Sequence, residues 1–140
     1  MMFFSVVNRI SRGQNTMEAV VNFGSDEEKP ELETRHLQFK NGEWFGRNSD
    51  KTRQERISIV KTWEAAKKAV AILEVKANDI AAAMEELKGK RDVAAKRAEL
   101  RGALKTVLAA LSAAKGDLER VTTTVGGLDK THPEFVEFLV

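Results

Sequence analysis

The sequence predicts a mainly α protein: a long antiparallel helical hairpin (coiled coil) with a small N-terminal β-hairpin element and extended termini. Three observations carry that prediction. An apolar residue recurs at every third or fourth position across residues 56–128. The recurrence slips once, at Gly89. Near the N-terminus an Asn-Gly pair, Asn41-Gly42, separates two short alternating runs.

Residues 1–10 read MMFFSVVNRI, and Phe3 and Phe4 make this end adhesive. A polar break follows, then residues 16–23 (TMEAVVNF), whose β-branched and aromatic content suits a strand. Residues 24–33 are acidic, contain Pro30 and read as an exposed loop. Asn-Gly between HLQFK and EWF is a strong hairpin signal, because both turn residues need positive φ. A lone two-stranded hairpin is marginal in water, so it must pack on the 16–23 strand or on the coiled coil.

Residues 46–50 read as a polar linker, with Ser49 or Asp50 placed to cap the first long helix. Its ladder is Ile59, Trp63, Ala66, Val70, Leu73, Ala77, Ile80, Met84 and Leu87. The second ladder is Val93, Arg97, Leu100, Leu104, Val107, Leu111, Ala114, Leu118, Val121, Val125 and Leu128. One apolar stripe recurring every 3.5 residues is the seam of a coiled coil. Between Leu87 and Val93 the phase slips, and Gly89 sits in the gap. A tip near Gly89 with Asp92 as the next cap gives a hairpin, whereas one unbroken helix with a stammer is the alternative. Folding there pairs Met84 with Val93, Leu73 with Leu104 and Trp63 with Ala114. Gly126-Gly127 ends the second helix, leaving the apolar tail THPEFVEFLV at 131–140. The domain reading is therefore 1–48 for the N-terminal arm and β element, 49–128 for the helical hairpin, and 129–140 for the tail.

Composition narrows the function classes. The chain has 140 residues, net charge +2 and no cysteine, so disulfides and thiolate metal sites are excluded. No apolar run approaches a membrane span, and the apolar start is too short for a secretory leader. The expectation is a soluble protein, intracellular or particle-associated. No phosphate loop, dinucleotide fingerprint or metalloprotease motif is present, and no cofactor is expected. His36 and His132 read as structural or surface residues, and the adjacent carboxylates Glu85-Glu86 do not face each other on a helix. Asp26-Glu27-Glu28 reads as a solvated loop cluster.

The expected function is non-enzymatic: a structural or assembly protein forming a homo-oligomer or part of a larger complex, such as a phage or virus-like particle. Candidate partner-facing residues are Phe3, Phe4, Phe135, Phe138 and Leu139 at the ends, with Ile72, Val75 and Leu108 outside the seam. The alternative is a small nucleic-acid-binding or regulatory protein. Its candidate anion-binding residues are Lys88, Lys90, Arg91, Lys96, Arg97 and Arg101 at the hairpin tip.

Overall fold

The computed structural model describes residues 3–24 and 28–140. Met1, Met2, Ser25, Asp26 and Glu27 lie outside the described residues, and with them most of the Asp26-Glu27-Glu28 cluster. The chain divides into two compact units. One combines Met1–Ser58 with Gly126–Val140, and the other is Ile59–Val125.

The first unit corrects the predicted fold class. It is a closed five-stranded β-barrel, not a small hairpin appended to a coiled coil. Its strands are β1 (Phe3–Arg12), β2 (Thr16–Asn22), β3 (Leu32–Lys40), β4 (Glu43–Arg47) and β5 (Phe135–Leu139). Successive strands run antiparallel, so the fifth points the same way as the first. Closing an odd-numbered ring then forces one parallel pair, and β1 meets β5 in parallel at Phe3↔Glu137, Phe4↔Phe138 and Ser5↔Leu139. Both apolar ends, read as free termini, are barrel staves.

Alternation along the strands fills the barrel. Met17, Ala19 and Val21 of β2, Leu37 of β3, Trp44 of β4, and Val136 and Phe138 of β5 form one buried cluster. Phe4, Val6 and Phe23 pack against it. The rings of Phe4 and Phe23 approach to 4.8 Å, and Phe23 meets Phe138 edge-on at 5.8 Å. Gly46 faces this interior, where an added Cβ would lie 2.8 Å from Leu37 Cδ2. The Asn-Gly turn forms as the sequence predicts, with φ 52° at Asn41 and 83° at Gly42. Leu32 and Glu33, read as loop, begin β3. Beyond Ser5, β1 pairs only with β2 among the described residues, and two register shifts bend it there. Bulges and arginines such as Arg9 and Arg12 are the usual devices that keep an exposed strand edge from recruiting another chain.

Between β4 and β5 the chain leaves the barrel and returns. The departure is tied at Asn48, which is 2% exposed. Its Nδ2 donates to the Pro133 carbonyl at 3.0 Å, its Oδ1 accepts from Ser49 N at 2.8 Å, and its backbone N donates to Glu134 O at 3.0 Å. Ser49 then caps helix α1 (Asp50–Glu86), accepting from Thr52 N at 3.3 Å. Arg56 donates to His132 O at 2.8 Å and pairs with Asp129 at 3.0 Å, beside the short helix α3 (Leu128–Thr131).

The second unit holds most of α1 and of α2 (Ala94–Gly126). Every residue of both ladders is buried or half-buried, while Ile72, Val75 and Leu108 outside them are exposed. Trp63 Nε1 donates to Thr122 Oγ1 at 3.1 Å, Lys115 pairs with Glu74 at 3.8 Å, and Arg97 donates to Leu87 O at 3.2 Å. The arms are therefore antiparallel. These contacts fall later along α2 than the predicted register, which set Trp63 opposite Ala114. The reason is the tip: residues 87–93 form an open connection with φ 74° at Gly89 and 57° at Asp92. Asp92 is thus not the cap; Arg97 N donates to Val93 O at 2.8 Å, which starts α2 one residue later.

Candidate functional site

Two features stand out on the outer surface of the barrel, and both follow from strand alternation. The first is an apolar ring around a carboxylate. Glu137 points outward from β5, with Phe3 opposite it on β1 and Phe45 opposite it on β4. Phe135 and Leu139 lie two residues to either side on the same face. Phe3, Phe135 and Leu139 are 57%, 53% and 59% exposed. Lost hydration among these side chains raises the Glu137 pKa above the ordinary glutamate range, and the neighbouring Glu43 carboxylate and its hydrogen bond raise it further.

The sign of that shift makes a prediction. A carboxyl that holds its proton more tightly when folded destabilises the fold once pH exceeds its unfolded pKa, and the penalty is complete above the folded pKa. Glu137→Gln is expected to raise the melting temperature at neutral pH, with the gain disappearing where Glu137 is protonated. A gain of equal size at every pH refutes this account.

The second feature is a groove beside that ring. A cleft of about 570 Å³ is lined by His36, Gln38 and Lys40 of β3, Asn41 of the turn, Phe45, Gly46 and Arg47 of β4, and Phe135 of β5. A smaller hollow of about 210 Å³ shares His36 and Arg47 and continues toward Arg35, Asp50 and Arg53. Arg35 is paired with Glu33 and Arg53 with Asp50. Lys40 and Arg47 have no ion-pair partner among the described residues. Among the described residues no carboxylate lines the larger cleft.

The residues expected at the surface divide differently from the sequence reading. Phe138 is 3% exposed and Phe4 packs on the core, so neither is available to a partner. Alternation is the reason: Phe4 and Phe138 point inward where Phe3, Phe135 and Leu139 point outward. Ile72, Val75 and Leu108 remain exposed on the helix pair. The basic tip is partly neutralised, since Lys88 pairs with Glu85 at 2.9 Å and Lys96 with Glu99 at 3.7 Å. Arg97 is tied to the turn carbonyl of Leu87, which leaves Lys90, Arg91 and Arg101 without ion pairs among the described residues.

His132 bonds Glu55 through Nε2 at 3.0 Å where the chain re-enters the barrel. Among the described residues no three His, Asp or Glu side chains gather as a metal site. Nor, among the described residues, is any helix long and apolar enough to cross a membrane. Sequence reasoning missed Lys40, Phe45 and Arg47. The alternation of QFK and EWFGR about the turn was the available signal, but which face lay outward depended on barrel closure.

These features define a class: a small closed β-barrel carrying an inserted antiparallel helix pair. Compared with known proteins, the chain matches no family model, no curated protein and no solved structure.

Proposed function

We propose that this chain is a non-enzymatic structural and assembly protein that associates with further copies of itself through the outer face of the barrel. The observation that carries the reading is the apolar ring of Phe3, Phe135 and Leu139 around Glu137. Isolated exposed apolar residues are ordinary, whereas a contiguous group marks an interaction surface. The second exposed set, Ile72, Val75 and Leu108, offers the helix pair a further contact. Repetition of one small subunit suits a phage or virus-like particle, and closed symmetry is the rule for such assemblies.

Magnitudes set the expected strength. A large apolar side chain is worth about 1.5–3 kcal/mol when fully buried. The three ring residues are already about half covered, so two copies gain roughly 5–9 kcal/mol in gross terms. Association costs about 4–15 kcal/mol. The most favourable combination leaves about 5 kcal/mol, so the expected self-association is weak and reversible, with a Kd of a few tenths of a millimolar.

Sedimentation equilibrium from about 10 µM to about 1 mM, a range that brackets such affinities, is expected to show mass rising with concentration. A Phe3→Ser/Leu139→Ser variant should lower that mass while keeping its helical and barrel circular dichroism. A monomer throughout the range overturns the reading. The alternative, nucleic acid held at the helical tip, has less support because Lys88, Lys96 and Arg97 are already engaged.

A further inference from the structure

We propose that the groove across β3, β4 and β5 binds single-stranded nucleic acid, with Lys40 and Arg47 holding phosphates and Phe45 and Phe135 stacking against bases. This goes beyond self-assembly and shares only Phe135 with the apolar ring; Phe3 and Leu139 do not line the groove.

Charge argues first. The chain as a whole is only +2, yet two of the strand cations that lack an ion pair among the described residues, Lys40 and Arg47, line one cleft, and no described carboxylate lies in its wall. Long-range attraction of an anionic polymer depends on such local excess, and phosphate contacts supply most of the affinity in non-specific binding. His36 lies in the same wall and offers a ring N–H donor. Glu43 and Glu137 do not line this cleft.

The rings argue second. Phe45 and Phe135 share the cleft with the cations, and Phe135 is 53% exposed. Aromatic faces set in a basic groove are how single strands are held without sequence preference, since every base presents a π-face. Gln38 and Asn41 at the wall supply side-chain amides for base edges. The dimensions fit an extended chain: from Lys40 along β3 to the smaller hollow at Thr34 is roughly 20 Å at strand rise.

An acidic peptide is the competing ligand, and it fits less well. Peptides commonly bind barrels and sheets by adding a strand to an open edge. In this barrel β3, β4 and β5 are paired to one another, and the open part of β1 is bulged. Cations alone would suit a peptide carboxylate, whereas the two rings beside them give successive bases faces to stack on.

The experiment uses the full chain and a fluorescent oligodeoxythymidylate of about 12 nucleotides, a length within the usual site range of a small barrel. Anisotropy at low salt should show binding, with log affinity falling linearly against log salt at about −0.7 per phosphate contact. Lys40→Gln/Arg47→Gln should flatten that slope by about 1.4. Phe135→Ala should weaken binding about tenfold and leave the slope unchanged. Lys90→Gln/Arg91→Gln at the helical tip should change neither. Circular dichroism checks that each variant is folded. Four outcomes overturn the proposal: no binding at low salt, loss of binding in the tip variant but not the groove variant, indifference to Phe135→Ala, or equal binding of a fluorescent polyglutamate.

Discussion

Leu37→Ala is expected to cost about 2–5 kcal/mol, the range for truncating a fully buried leucine whose surroundings cannot collapse. Leu37 is 0% exposed at the centre of the barrel cluster. Its Cδ2 lies 2.8 Å from where a Cβ on Gly46 would stand, so the leucine side chain fills the space the glycine leaves. The antiparallel ladder that joins β3 to β4 holds their spacing and limits collapse into the cavity. For a unit of this size, each kcal/mol lowers the melting temperature by about 4–8 °C, so a fall of 10 °C or more is expected. Trp44, 8% exposed in the same cluster, reports the loss by fluorescence in a Trp63→Phe background. Phe39→Ala serves as the comparison, because Phe39 is 39% exposed and should cost far less. A melting temperature within two or three degrees of the parent after Leu37→Ala would show that the barrel core is not where stability resides.

Asn48→Asp is expected to be nearly as damaging, and in a way that depends on pH. Asn48 both donates and accepts: Nδ2 to Pro133 O, and Oδ1 from Ser49 N. A carboxylate keeps the acceptor, loses the donor and places negative charge against a buried carbonyl oxygen. An unsatisfied buried group costs about 1–3 kcal/mol, and more when it is charged, which puts the expected loss at about 2–4 kcal/mol at neutral pH. Burial raises the pKa of the new carboxyl, so the folded state binds the proton more tightly than the unfolded chain. Part of the stability should therefore return as pH falls through that pKa, when the protonated acid can donate to Pro133 O again. A loss of constant size across pH would mean that Asn48 acts through packing alone.

The helix pair was legible because its signal is local. Each ladder residue is three or four positions from the next, and the structure shields every one of them. The Asn41-Gly42 turn was legible for the same reason, since a two-residue turn needs only its own φ values. The register of the two arms was less so. Heptads permit displacements that keep a opposite d, and the choice rested on the open tip at residues 87–93 and on Arg97 closing onto Leu87. At the tip, Glu85 and Glu99 pair with Lys88 and Lys96 across a single turn, which the sequence spacing alone allows but does not fix. Lys40 and Arg47 looked ordinary in the sequence; only the pairing of their strands puts them in one cleft.

By itself, the sequence determined the two long helices, the break in phase between them at Gly89, the Asn41-Gly42 β-hairpin and the excess of apolar residues at both ends, while the choice between a helical hairpin and one unbroken helix stayed open. Tertiary structure alone decided what those ends do. A strand of five residues such as FVEFL carries too little periodicity to announce itself, and its partners stand far away along the chain: Asn48 reaches Pro133 across 85 positions. Which face of such a strand is buried depends on the neighbours it pairs with, because a slip of one residue exchanges the two faces. Pairing Phe4 with Phe138 and Phe3 with Glu137 sends the first pair to the core and leaves the second on the surface. That exchange separates the residues that close the barrel from those free to meet another molecule.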